Sequence, residues 1–309
     1  MKRLIGTLTI LLLLLAACQG RGTETRSTNY RTGTEGIQFM FASNLPPSRI
    51  YDDQKLDVLV ELENRGATGV GGAGDRLYLS GFDPQIITGI SAIGEQIPAM
   101  NGKSQYGPGD KTFVTFTGTP VSLFGLNIDK YSPRLQLTAC YSYDTIATAN
   151  VCIDPEPESR AVRDKVCTPT SVGTGSQGAP VSVSSVNVEA SPTTTRFDIT
   201  IQNSGRGKPF RSSLQYLQKC SPFDPTGLQY NEIDYVELVD VAVAGTSIKN
   251  NCRPNDQGHV RLAGGSAHLY CQFDHIPGTS AYTTPLTVTL RYGYREILQR
   301  ELTIVQSAR

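Results

Sequence analysis

The chain has three histidines, His259, His268 and His275, and all lie in one short stretch that also holds Asp274. Imidazoles and a carboxylate together suit a divalent metal. Their placement does not. His259 and His268 fall on two separate predicted strands and His275 in a turn before Pro277, so nothing sets them on one face, and no metal is assigned to them. Gly102-Lys103-Ser104 has the ending of a phosphate-binding loop. The first glycine of that motif would stand at position 97, which is Ile97, and no strand-to-helix context surrounds it. No G-x-S-x-G elbow occurs. Asp52-Asp53 and the Glu156/Glu158 pair lack the spacing of a calcium loop. No catalytic set and no cofactor emerge, so the expectation is a non-enzymatic protein.

Cysteines and tyrosines carry more. There are seven cysteines. Setting Cys18 aside leaves Cys140, Cys152, Cys167, Cys220, Cys252 and Cys271, an even set that reads as disulfides in an exported chain. No C-x-x-C occurs, which removes support for zinc, thioredoxin-like and haem-attachment readings. Cys140 and Cys152 lie symmetrically about Ile146, on the arms of a predicted hairpin, and are expected to pair. Cys252 and Cys271 flank the short strands at His259–Leu262 and His268–Tyr270 and are expected to pair. Cys167 is then left with Cys220. Tyr141 and Tyr143, and likewise Tyr292 and Tyr294, share a strand face by period two. Exposed, such pairs would stack on a sugar or a protein; buried, they would pack and reach the rim with their hydroxyls. Their recurrence favours packing, and ligand contact is the alternative.

The N-terminus has its own chemistry. Lys2 and Arg3 precede an apolar run, Leu4 to Leu15. It is too short for a membrane span, which needs roughly 20 residues, and suits a signal peptide. It ends Leu15-Ala16-Ala17-Cys18, which resembles the lipobox of prokaryotic lipoproteins, in which the Cys thiol carries lipid. Residues 1–17 are thus expected to be a lipoprotein signal peptide. Cys18 would be the membrane anchor, and residues 18–35 a Gly/Thr/Ser/Arg tether. Gln19 rather than Asp after the Cys argues, by the same resemblance, against retention at an inner membrane.

The elements that carry these residues come from an internal repeat. Leu286 to Ile304, LTVTLRYGYREILQRELTI, follows Leu135 to Ile153, LQLTACYSYDTIATANVCI, at a constant offset of 151 positions without a gap. Each copy alternates apolar and polar residues about a polar centre, the pattern expected of a β-hairpin. An internal repeat of this kind implies two copies of one domain. Ile199–Gly205 echoes Val60–Gly66, and Phe223-Asp224-Pro225 echoes Phe82-Asp83-Pro84. The offsets differ, as they do when loops vary on a kept scaffold. Further strands are predicted at Gly36–Phe41, Leu56–Glu63, Leu77–Leu79, Ile86–Ile93, Thr112–Phe116, Val181–Val188, Arg196–Gln202 and Tyr235–Val243. The fold class is therefore all-β, two tandem immunoglobulin-like β-sandwiches over residues 36–155 and 179–306. A linker spans 156–178, with at most one or two helical turns at Pro155–Val166.

Cys167-Thr168-Pro169, Gly178-Ala179-Pro180-Val181, the Cys252/Cys271 pair, Ala281-Tyr282 with Pro285-Leu286, and Tyr292-Gly293-Tyr294 resemble uncharacterised secreted proteins of DPANN-type archaea. Those carry tandem immunoglobulin-like, CARDB-like domains, and the resemblance covers most of residues 36–306. It implies a cell-surface role with no defined activity. Lys and Arg together equal Asp and Glu at 28 each, giving zero net charge, so no nucleic-acid partner is expected. The expected protein is an extracytoplasmic lipoprotein, anchored through Cys18, that acts in adhesion or envelope assembly by contacting other surface proteins. A glycan or small-ligand receptor is the alternative.

Overall fold

The computed structural model describes residues 30–123, 125–159, 165–278 and 280–307. The signal peptide, Cys18 and most of the tether lie outside them. The described chain is all-β, with four sheets, one short α-helix, α1 (Leu214–Lys219), and a single 3-10 turn at Lys249–Asn251.

One sheet of the first half is formed by β1 (Ile37–Phe41), β3 (Lys55–Asn64) and β6 (Lys111–Pro120), in that order. Its counterpart in the second half is β15 (Cys252–Arg253), β17 (Ser266–Asp274), β11 (Thr194–Asn203), β10 (Val181–Ala190) and β9 (Val172–Gly173). A central sheet shared by both halves is ordered β14 (Thr246–Ser247), β13 (Tyr235–Val243), β18 (Tyr282–Glu301), β8 (Arg134–Ile153), β4 (Arg76–Ser80) and β5 (Glu95–Gln96). Short strands β12 (Lys208–Phe210) and β16 (His259–Arg261) attach to β18 and β13. A small fourth sheet joins β2 (Arg49–Tyr51), β19 (Thr303–Val305) and β7 (Lys130–Tyr131).

The repeated stretches are not hairpins. Each is one unbroken strand of 20 residues, about 65 Å long at the usual rise per residue. Neither centre carries the Asn-Gly or Gly-led pair that a tight reversal uses, so the alternation simply continues. The two strands pair antiparallel over their whole length, from Arg134 with Glu301 to Ile153 with Tyr282. Ser142 pairs with Gly293, and Gly293 is also its repeat equivalent at the offset of 151. A local twofold therefore passes between these two residues.

This twofold makes the halves interdependent. On one side of it β4 flanks the start of β8, which pairs with the end of β18; on the other, β13 flanks the start of β18, which pairs with the end of β8. Each long strand begins in its own half and finishes in the other. Ala147, Ala149, Val151 and Ile153 at the end of β8 are buried, and β8 packs against β10 of the second half. Leu302 and Ile304, after β18, are buried, and β19 pairs with β2 of the first half. One apolar cluster runs through both halves, from Leu56, Val58 and Leu62 to Phe197, Ile199 and Ile201.

Two smaller expectations change. Ile86–Ile93 is not a strand: Ile86 and Ile87 N–H bond the Asp83 carbonyl in a turn, Gly89 takes φ +86°, and the Thr88 carbonyl accepts from Thr119 N–H of β6. The 165–178 stretch is not a free linker. β9 pairs with β10, and Gly178 N–H bonds the Gly33 carbonyl.

Candidate functional site

The four tyrosines sit at the twofold. Tyr141 faces Tyr294 across the ladder and Tyr143 faces Tyr292. All are fully buried, with neighbouring ring centroids 5.9–6.3 Å apart, mostly edge to face, the arrangement aromatic quadrupoles favour. Their hydroxyls repeat one pattern twice. Tyr143 Oη accepts from Thr68 N–H at 3.1 Å and donates to the Gly178 carbonyl at 3.0 Å. Its repeat equivalent, Tyr294, accepts from Gly207 N–H at 2.9 Å and donates to Asn203 Oδ1 at 3.1 Å. Tyr141 accepts from Ile37 N–H, and Tyr292 from Val181 N–H, the first residues of β1 and β10. A Cβ on Gly66 would overlap the Tyr143 hydroxyl, and one on Gly205 the Tyr294 hydroxyl. That explains why Asn64-Arg65-Gly66 recurs as Asn203-Ser204-Gly205. In both, the Asn side-chain amide holds the turn, donating to the Thr68 and Gly207 carbonyls. Burial raises all four phenol pKa values, Tyr143 to about 12, so they stay protonated donors. These residues fasten the two halves together, and with no ring face exposed they are not the aromatic platform the ligand-contact alternative required.

One position breaks the pattern. Tyr292 shares a hydrogen bond with Thr145 Oγ1 at 2.9 Å, and Thr145 in turn donates to the Val181 carbonyl at 2.6 Å. The residue 151 positions after Thr145 is Glu296, and Tyr141 donates to its Oε1 at 3.3 Å. Burial first, with nearby Glu35 adding, pushes the Glu296 carboxyl up to about 7, against the Tyr141 hydrogen bond and Arg206, which lower it.

The cysteines pair otherwise than expected in two cases of three. Cys140 bonds Cys220 and Cys152 bonds Cys167, while Cys252 bonds Cys271. The Cys140–Cys152 pairing required a hairpin. On one continuous strand those residues stand about 40 Å apart at 3.3 Å per residue, far beyond disulfide reach. Cys140 instead points to the outer face of the central sheet. There Tyr78, Phe210, Leu217 and Cys220 form a second apolar cluster under α1. That bridge fixes an excursion of the second half onto the first. Cys167, expected with Cys220, anchors the segment before β9 to the end of β8.

The histidines do not converge. His268 Nδ1 meets Asp198 at 2.9 Å, His275 Nε2 meets Thr195 at 3.1 Å, and His259 Nδ1 meets the Gln257 carbonyl at 3.1 Å. Lys103, from the phosphate-loop look-alike, holds the Thr32 carbonyl.

The surface feature that sequence reasoning missed is an edge. In β1, Ala42 N–H bonds Leu59 and the Gly36 carbonyl accepts from Arg65. Even-numbered residues thus turn their main-chain groups to β3, and Ile37, Phe39 and Phe41 turn theirs away. Ile37 N–H is taken by Tyr141. Beyond that, β1 has no strand on this side among the described residues. The edge borders a cleft of about 260 Å³ lined by Glu35, Gln38, Met40, Arg206, Glu296 and Leu298. Gln38 Oε1, buried there, has no donor among the described residues.

The same edge in the second half is filled. Val183 stands where Phe39 does: Val183 pairs with Ile201 as Phe39 pairs with Leu62. The Gln177 carboxamide caps it, accepting from its N–H at 3.0 Å and donating to its carbonyl at 3.1 Å. Val186, the counterpart of Phe41, pairs with Val172 of β9. Ser182, the counterpart of Gln38, bonds Ser204. No signal in the local sequence of β1 marks the difference; it lies in what precedes each strand.

A second surface lies on the outer face of the β17–β11 sheet. Tyr270, 56% exposed, stacks beside His268 with an interplanar angle of 18°. A depression of about 380 Å³ next to it is lined by Arg196, Asp198, Arg253 and Gln272 among others. No protein-family model matches the chain, and no curated protein is found to match it.

Proposed function

We propose that this is a lipid-anchored, extracytoplasmic protein whose folded part serves as a non-enzymatic interaction module at the cell surface. The tether and Cys18 of the Leu-Ala-Ala-Cys motif supply the anchor, and two or more lipid chains would make it stable. Three disulfides suit an oxidising compartment. No helix among the described residues is long and apolar enough to cross a membrane. In this reading each half is an immunoglobulin-like variant of the surface-protein type, with its sandwich completed by the other half's strand.

The observation that carries the interaction role is the bare β1 edge beside a filled counterpart. Unpaired strand edges are adhesive, and proteins ordinarily block them. Here the same chain blocks one copy and, among the described residues, leaves the other open. Chemical crosslinking in intact envelopes tests the role. Recurrent links to particular surface proteins are expected, and recovery of uncrosslinked chain alone defeats it. For the anchor, a Cys18→Ala variant is expected to lose an alkynyl-lipid label and leave the membrane fraction. Retained labelling would refute lipidation at Cys18.

A second reading, a glycan receptor, now rests on Tyr270 and His268 rather than on the buried tyrosines. A flat exposed ring flanked by Arg196, Asp198 and Gln272 has the apolar face and planar polar groups a sugar needs. Tyr270→Ala is expected to abolish retention on an envelope-polysaccharide column, and unchanged retention would discard this reading.

A further inference from the structure

The open edge of β1 has a template for its occupant in the same molecule. We infer that the β1 edge accepts one extended segment of a partner protein, running antiparallel to β1 and reproducing what β9 and Gln177 supply to β10. This deepens the interaction role proposed above and rests on it.

The template sets the chemistry. In the second half Val172 pairs with Val186 and packs against the core, and Gly173 pairs with Ser185. Thr174 and Gln177 both bond the Val183 carbonyl, and Gln177 also takes the Val183 N–H. Carried to the first half, the occupant needs a β-branched apolar residue opposite Phe41 and a small residue opposite Met40. It also needs a carboxamide or hydroxyl reaching Phe39. Main-chain pairing would supply affinity and these side chains selectivity, as in other strand-addition complexes. A donor on the occupant would also satisfy the orphan Gln38 Oε1. The slot admits a single strand, because its far wall is the end of β18: Glu296, Ile297 and Leu298 line the cleft opposite Gln38, Phe39 and Met40. Beyond Arg295, where β12 stops, β18 has β8 as its only strand partner among the described residues. The chain's own β9 is committed to β10 and held by the Cys152–Cys167 bridge, so it does not serve the first half.

A synthetic peptide, Thr170–Gly178, is the probe, added to the full-length lipoprotein in detergent while amide hydrogen exchange is followed. At a peptide concentration about ten times its Kd, exchange at Phe39 and Phe41 is expected to slow about tenfold. A Val172→Asp version of the peptide should protect less. Phe41→Pro removes an N–H that points away from β3, and in that variant protection of Phe39 should be lost. Unchanged exchange up to the solubility limit of the peptide overturns the proposal. In cells, a photo-crosslinking residue replacing Met40 should join a discrete extended segment of another protein. Links from Met40 to Met40 of a second copy overturn the proposal in favour of self-pairing. Links from other surfaces but none from position 40 overturn it while sparing the interaction role, and no links from any position overturn both.

Discussion

The two halves are built from one plan and finished differently. In the second, the segment before the first strand folds back along it, Gln177 caps Val183, and Thr145 completes the tyrosine hydrogen bonds with a neutral hydroxyl. In the first, the corresponding edge carries no strand among the described residues, and the hydroxyl is replaced by the half-buried carboxyl of Glu296, with its raised pKa. The second half is what the plan looks like when stability decides each position. The first retains an unfilled edge and a partly buried acid side by side, lining one cleft. Proteins keep such locally unfavourable features where a partner resolves them.

The comparison depends on the halves being fastened to each other, so the largest effect should come from releasing them. Cys140–Cys220 closes a loop of 80 residues across the two halves, and the loop-entropy estimate gives about 4.5 kcal/mol for it. Cys152–Cys167 closes 15, worth about 3 kcal/mol. Chemical denaturation of Cys140→Ala/Cys220→Ala should show the larger loss. Equal losses for the two pairs would mean that the α1 excursion is held by its apolar contacts with Tyr78 and Phe210 alone.

Next come the glycines under the tyrosine hydroxyls. Gly66→Ala places a methyl group into the Tyr143 hydroxyl and against the Gly178 carbonyl. A cost of about 3 kcal/mol is expected, as for overpacking at a rigid site. Gly205→Ala meets the Tyr294 hydroxyl and the Pro180 ring, and its cost should be similar or slightly less. A midpoint shift at one glycine and none at the other would show that the twofold is geometric but not energetic.

Glu296 sharpens the comparison through pH. Its folded pKa, about 7, lies above the 4.5 of an unperturbed Glu. The folded state therefore holds the proton more tightly than the unfolded one. The resulting stabilisation is complete below pH 4.5 and is lost as pH rises to about 7, a change of about 3 kcal/mol. The groups facing it are Tyr141, Glu35 and Arg206. Glu296→Gln should remove this slope, so the variant gains on the wild type as pH rises from 5 to 8. Parallel stability curves for the two proteins would mean that Glu296 is solvated in solution. Glu296→Thr, which copies Thr145, should flatten the curve as well.

Sequence alone revealed the repeat, the all-β class and most strand positions, because period-two alternation survives in every long strand. It misread the repeat's own shape. Alternation about a polar centre is common to a hairpin and to a long strand crossing a twofold, and Tyr143-Asp144-Thr145-Ile146 has no residue that decides between them locally. The missing turn chemistry was the available signal. Once that was misread, Cys140 and Cys152 were brought together, and the remaining cysteines were assigned by elimination. The tyrosines were legible as packing residues because they recur, whereas their meeting at the twofold depends on a pairing 151 positions apart. The open edge could not be read from β1 at all. IQFMF and VSVSSV are both ordinary strands, and only the course of the chain before them separates a covered edge from a bare one.

The smallest effect should be the most informative. Gln177→Ala would strip the cap from Val183 and leave its N–H and carbonyl facing outward, with Thr174 still on the carbonyl. Losing the partners of a buried N–H costs about 1–2 kcal/mol. β9 still pairs with β10 at Ser185 and Val186, so global unfolding should move less than exchange at the Val183 amide, which should accelerate strongly. In effect the variant gives the second half an edge like that of the first. If the uncapped edge then binds the Thr170–Gly178 peptide, the openness of β1 is sufficient for strand addition and the surrounding cleft only selects among segments. If it does not, the edge is merely permissive, and recognition resides in what the first half alone possesses: Glu296, Arg206 and the orphan carbonyl of Gln38.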